Sequence, residues 1–264
     1  MFLFYSFVFL LGLTVGSFLN AVVDRLEKGE SALRGRSYCP HCKHQLAWQD
    51  LIPVASFLML GGKCGYCKGR ISPQYPIIEI ATGLIFLILN LKLQVSNLNQ
   101  GSSFETLSIF YLWAIASFLV ILFVYDLRHY ILPDRILFPA IGLALLWDLL
   151  ALRSLGEGGS FVVSGFAAAA FFLTIFLLSR GRAMGFGDAK LALFMGLFLG
   201  WPNILVALFA AFFSGALVGI VLIVLKKKGM KSEVPFGPFL IGGTFLALLW
   251  GKEIVDWYLK FVLV

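Results

Sequence analysis

Charge is what this sequence most lacks. Only 13% of its 264 residues are charged while 60% are hydrophobic, against about 25% and about 45–50% in a soluble globular domain. Mean hydropathy is +0.92. A water-soluble core of this size cannot absorb so much Leu, Phe and Val, so the implied solvent is the lipid bilayer. Lys and Arg are missing from Met1–Val23, so this stretch has no basic n-region of a cleavable signal peptide and is expected as a retained first helix. The formal net charge of +7 does not indicate a nucleic-acid partner, because Lys and Arg fall in short clusters between apolar runs. Topology-setting charges are placed in that way.

A spanning helix needs about 20 apolar residues, and eight candidates are present: Phe2–Val23, Ile77–Val95, Leu107–Tyr125, Ile136–Leu152, Phe161–Ser179, Ala189–Leu199, Ile204–Leu225 and Phe236–Trp250. The sixth is too short to span unless the Gly185 region enters the membrane with it. The tail from Lys252 has charges breaking an apolar run and is expected along the interface. With the N-terminus outside, the inside loops hold Arg25, Lys28, Arg34, Arg36, Lys43, Lys63, Lys68 and Arg70, then Arg128 and Arg135, then Arg180, Arg182 and Lys190, then Lys226, Lys227, Lys228 and Lys231. Only Lys92, Arg153, Lys252 and Lys260 fall outside. That asymmetry orients the chain. The expected fold is an all-α polytopic membrane protein of about eight transmembrane helices. Its organisation is a first helix over 1–23, a cytoplasmic domain over 24–76, and a transmembrane domain over 77–264.

The 24–76 segment is too small to rely on a hydrophobic core and calls for a staple. All four cysteines lie there, as Cys39-Pro-His-Cys42 and Cys64-Gly-Tyr-Cys67, with 21 residues between the pairs. Two such pairs near the usual 15–20 spacing fit a four-thiolate zinc site, with Gly65 and Gly69 expected to supply backbone freedom to the turns. Two disulfides are the alternative, disfavoured in the reducing compartment that the charge rule assigns to this loop. His41 and His44 are surplus to a filled tetrahedral shell. A closed shell makes the zinc structural rather than catalytic.

Ionisable groups at a membrane edge are costly and usually functional. Asp126 ends the apolar run of the third candidate helix, and Asp188 closes Gly185-Phe186-Gly187-Asp188 before the sixth. The charge-derived topology puts both at one face. Paired carboxylates suit peptide hydrolysis: two held within a few Å cannot both ionise, so one takes a proton from water while the other polarises the scissile carbonyl. Gly185 and Gly187 would permit a close backbone approach to substrate or a bent helix entry. Other uses stay open: Asp188 as a helix cap, Asp126 paired with Arg128, His129 or Arg135, and Asp134 as a rival for the first role, although it suits an N-cap better.

Taken together the motifs resemble the type IV prepilin peptidase family, membrane aspartic proteases of the GxGD class. The series comprises Gly16-Ser17-Phe18-Leu19-Asn20, the two CxxC pairs, Ile52-Pro53 with Ser56-Phe57-Leu58, Tyr75-Pro76-Ile77-Ile78-Glu79, Asp126 with Ile131-Leu132-Pro133-Asp134, the GFGD segment with Lys190-Leu191, and Pro235-Phe236-Gly237-Pro238. The resemblance implies removal of the basic leader from type IV prepilins or pseudopilins in the bacterial inner membrane, after a Gly and before an often aromatic residue. It implies catalytic roles for Asp126 and Asp188. Members with the cysteine loop are commonly bifunctional, methylating the new N-terminus with S-adenosylmethionine, and Glu79 stands where the family has a methylation-linked glutamate. On the residues alone, Glu79 is equally a helix-start carboxylate favoured by the macrodipole, and no glycine-rich nucleotide loop supports methylation independently. Leu51, where many relatives have Asn, is a departure bearing on recruitment or methylation.

Three alternatives compete. One is a peptidase without methyltransferase activity. An ion-coupled transporter would also use intramembrane carboxylates and broken helices, but no inverted repeat is visible. A zinc-stapled scaffold would leave the aspartates inert.

Overall fold

The computed structural model describes residues 2–31, 35–96, 103–150, 155–182, 184–225 and 234–262. Of the topology-setting charges, Arg34, Arg153, Lys226, Lys227, Lys228 and Lys231 lie outside them, as does Leu152 at the end of the fourth expected span. Among the described residues the regular elements are helices, with no strand: α1 (Phe2–Glu27), a 3-10 turn (Trp48–Leu51), α2 (Ala55–Met59), α3 (Gln74–Ser96), α4 (Ser103–His129), α5 (Asp134–Leu150), α6 (Leu155–Ser179), α7 (Phe186–Leu199), α8 (Asn203–Val224) and α9 (Gly237–Val262).

Six helices, α1, α3, α4, α6, α8 and α9, are long and apolar enough to cross a membrane. The fourth and sixth expected spans correspond to α5 and α7, which are shorter. At 14 residues, α7 is about 21 Å long against a hydrocarbon thickness of about 30 Å. It is also buried nearly all round, from Asp188 and Ala189 through Leu199, because α5, α6, α8 and α9 pack against it. A helix apolar on every side and enclosed by others is a core helix. The tail beyond Lys252, expected along the interface, is helical and continues α9 to Val262.

The chain forms two compact units, Met1–Ile121 and Leu122–Val264. In the first, α1 and α3 run against each other. Their contact is set by small residues: a Cβ on Gly12 would lie 2.6 Å from Gly83 Cα, and one on Gly16 would lie 2.7 Å from Glu79 Cα. The Gly12-x-x-x-Gly16 stripe thus packs helices within this chain, as small residues do in bilayers. The same unit ties the end of α1 to the start of α3 by polar contacts: Asn20 donates its amide to the Tyr75 carbonyl at 3.1 Å, and the Tyr75 hydroxyl donates to Asp24.

The second unit uses glycine in the same manner. Gly196 of α7 faces Gly165 and the Ser164 carbonyl of α6, and Gly243 of α9 faces the Ala207 carbonyl of α8. Tyr130 breaks α4 with a left-handed φ of 59°, its N–H still reaching the Asp126 carbonyl at 2.9 Å. The short 130–133 segment then leads into α5, whose first turn is braced by Ile136 and Leu137 donating to the Pro133 carbonyl.

Candidate active site

Within the second unit, Asp126 lies in the last turn of α4 and Asp188 in the first turn of α7. Both side chains are buried, at 4% and 9% exposure, and they are close enough for their charges to repel. Each takes a backbone N–H. Gly237, at the start of α9, donates to Asp126, and Gly185 donates to Asp188 Oδ2 at 3.2 Å. Asp188 therefore sits at the third position of its helix and reaches back to the Gly185 N–H, instead of being the N-cap itself. Asp126 takes a hydrogen bond from the start of α9.

The glycines have different jobs. Gly185 is in extended backbone with φ −77°, and a Cβ there would meet nothing closer than Asp188 Oδ2 at 3.7 Å. Gly187 is under more pressure, since its Cβ would lie 3.3 Å from Leu132 Cβ. Buried Leu132 also borders Gly237, whose own Cβ would fall 2.5 Å from Asp126 Oδ2. Gly237 and Leu132 belong to motifs in the sequence that by themselves assign neither a role. A lone glycine just before Pro238 at a helix start was the only available signal. Asp134, the rival acid, has its carboxylate on Lys190 at 2.7 and 2.9 Å.

In the first unit the four cysteine sulfurs all lie within 4.8 Å of one another, with Cys39 and Cys64 buried and Cys42 and Cys67 exposed. All four are free thiols, not disulfides. A tetrahedral zinc with Zn–S bonds of about 2.3 Å requires sulfurs about 3.8 Å apart, and Cys39 and Cys67 stand at 3.9 Å. The two knuckles repeat each other. Lys43 and Lys68 donate to the Cys39 and Cys64 carbonyls at 2.9 and 3.0 Å, while the Cys39 and Cys64 N–H groups donate to the His44 and Gly69 carbonyls at 2.9 and 2.8 Å. The left-handed positions are held by Lys43 and Lys68, both at φ 59°. Gly65 and Gly69 do not provide that freedom. Gly69 instead makes room for His41, whose ring a Cβ would meet at 2.9 Å.

Charge is unevenly shared among the sulfurs. Burial works to raise the Cys39 thiol, but the N–H groups of Cys42 and His41 and the thiols of Cys64 and Cys42 outweigh it and bring it down to about 6. Cys67 moves the other way, to about 11: the Gly69 N–H lowers it, while desolvation and the Cys42, Cys64 and Cys39 sulfurs raise it. One thiolate thus suppresses the next, a situation a divalent cation relieves.

A cavity of about 310 Å³ also lies in the first unit, bordered by Ser17, Asn20, Asp24, Tyr75 and Glu79. Glu79 is buried. Its carboxylate accepts the Val54 N–H at 2.7 Å and a hydrogen bond from Ser17.

Residues 10–93 match the bacterial peptidase A24 N-terminal domain, and residues 113–220 match the Type IV leader peptidase family. Among curated relatives, a prepilin leader peptidase/N-methyltransferase of Aeromonas hydrophila is 33% identical, the alignment covering 97% of this chain and 94% of the relative. Proteins of the same name from Pseudomonas aeruginosa and Bacillus subtilis are 30% and 31% identical, over 96% and 98% of this chain and 92% and 99% of theirs. No solved structure matches. The two domain matches and the near full-length likeness place this chain in the type IV leader peptidase family.

Proposed function

We propose that the protein is an aspartic endopeptidase that removes the basic leader from type IV prepilins or pseudopilins at the cytoplasmic face of the bacterial inner membrane, after Gly and before an often aromatic residue, and then N-methylates the new N-terminus. The observation that carries cleavage is the buried Asp126–Asp188 pair, each carboxylate held by one glycine N–H. In our reading the pair shares one proton. The ionised member takes a proton from water, whose oxygen attacks the scissile carbonyl as the protonated member hydrogen-bonds its oxygen. The C–N bond then breaks, and the departing amine receives the proton held by the pair. The pair works as a unit, so neither aspartate is permanently acid or base.

For methylation, S-adenosylmethionine would supply the methyl group. The cavity beside Glu79 falls within the usual size range of ligand sites. A buried carboxylate there suits a sulfonium or an ammonium, with Ser17 and Asn20 as further polar contacts. Zinc on Cys39, Cys42, Cys64 and Cys67 would staple the 24–76 domain without an open coordination position. The Lys and Arg asymmetry supports an outside N-terminus and a cytoplasmic site. The family match does not favour a transporter or an inert scaffold.

The test is mass spectrometry of a prepilin whose leader ends in Gly followed by Phe, incubated with purified protein with and without S-adenosylmethionine. Cleavage should vanish in Asp126→Asn and Asp188→Asn, and the wild-type product should gain about 14 Da, one CH₂, only with the methyl donor. Cleavage surviving either substitution would overturn the dyad.

A further inference from the structure

Lys190 follows Asp188 by two residues on α7, yet its ammonium is directed away from the carboxylate pair. It lies 2.7 and 2.9 Å from the two Asp134 oxygens, 4.9 Å from the centre of the Phe186 ring and 5.3 Å from that of Phe138. The arrangement follows from helical spacing. Phe186 and Lys190 are four residues apart on α7, Asp134 and Phe138 four apart on α5, so each helix presents one ring and one charge on one face. The ammonium is gripped by a carboxylate and two aromatic faces, contacts that restrict a side chain otherwise rich in rotamers.

What this grip fixes is the ground between the aspartates. Asp134 opens α5 directly after Leu132-Pro133, and Leu132 is the side chain that a Cβ at either Gly187, next to Asp188, or Gly237, the donor to Asp126, would meet, at 3.3 and 3.4 Å. Pinning the start of α5 to the first turns of α7 therefore holds Leu132 as a spacer. We propose that Asp134 and Lys190 form a clamp that sets the separation of the two carboxylates, and that both are positioning residues for leader cleavage. The inference rests on the dyad reading of the preceding section. As a stabilising contact the pair counts for little, since Asp134 is 53% exposed and Lys190 20%, and exposed ion pairs contribute weakly to folding. Its effect is on geometry, where misplacements below 1 Å matter for rate.

The distinguishing measurement is the split between kcat and KM for prepilin cleavage by the full-length protein, read beside its thermal midpoint in detergent. Lys190→Met and Asp134→Asn should each lower kcat about tenfold or more, with KM and the midpoint little changed. The double variant should be no worse than either single one, and the exchange Asp134→Lys with Lys190→Asp should recover part of the rate. Unchanged kcat in the singles, multiplied losses in the double, or losses that track the midpoint would overturn the clamp. If the uncharged variants fail to fold, Asp134→Glu carries the test: it lengthens the clamp by one methylene while keeping the charge, and must lower kcat. Asp126→Asn and Asp188→Asn run alongside. Their inactivity with wild-type kcat in the clamp variants would overturn the clamp alone, whereas cleavage surviving in either would bring down the dyad and the clamp with it.

Discussion

The sharpest consequence of the site geometry concerns Gly237→Ala. A Cβ at this position would stand 2.5 Å from Asp126 Oδ2 and 3.1 Å from its Cγ, about 1 Å inside ordinary van der Waals contact. The backbone need not resist the change. Gly237 begins α9, where alanine is a better helix former than glycine, and its N–H survives the substitution. The clashing atom is the end of a short side chain, so the carboxylate turns aside and the fold stays. A displacement of about 1 Å at a reacting group costs about 10²-fold in rate, or about 2.7 kcal/mol of transition-state stabilisation. Single-turnover cleavage of a prepilin should therefore slow about a hundredfold at an unchanged thermal midpoint. Gly242→Ala, on the same helix with nothing within 4 Å of the added carbon, serves as the control and should be silent. Wild-type rate in Gly237→Ala, or an equal loss in Gly242→Ala, would refute the reasoning.

Glu79→Gln should abolish methylation of the product and leave leader cleavage intact, both read from the same mass spectra; loss of cleavage would remove Glu79 from its proposed role. Gly16→Leu must push α1 off the α3 backbone, which cannot yield as a side chain would, and should cost at least about 1–3 kcal/mol, seen as a lowered unfolding midpoint or loss of folded protein. Chelation or Cys64→Ser should take bound zinc from about one equivalent to none and expose residues 36–72 to proteolysis. Because zinc needs thiolates, and the Cys39 thiol sits at about 6 before metal binding, occupancy should be present at neutral pH and fall progressively as the solution is acidified. Metal retained at low pH would argue against thiolate ligation.

Much of the architecture was legible because scarcity of charge leaves few places for it. Once Lys and Arg mark the loops, the apolar runs between them have to be helices, and α1, α3, α4, α6, α8 and α9 follow. The shortness of α7 was also readable. Its position as a helix enclosed by four others was not, because an apolar run looks the same whether it faces lipid or protein. The knuckles were visible in the CxxC spacing, but the left-handed residues turned out to be Lys43 and Lys68 instead of the neighbouring glycines. Spacing fixes where a turn must occur and leaves open which residue bears its strained φ. The contribution of Gly237 to the site was hidden for a related reason. It offers a backbone N–H and the lack of a Cβ, and neither has a side-chain signature.

The donors around the carboxylates suit the shared proton that the proposed mechanism requires. A cation against either aspartate would favour its charged form and settle which member holds the proton. Among the described residues, Asp126 and Asp188 are instead held by neutral N–H groups of Gly237 and Gly185. The cation nearest in sequence to Asp188, Lys190, is bound to Asp134. Its charge is thereby matched outside the pair while its side chain still braces α7. In the proposed mechanism, the mutual repulsion of Asp126 and Asp188 is what lets one serve as base while the other serves as acid. Under the proposed clamp, engaging Lys190 with Asp134 would brace α7 without placing that positive charge on the carboxylate pair, and it commits to an ion pair an acid that could otherwise compete for a catalytic role.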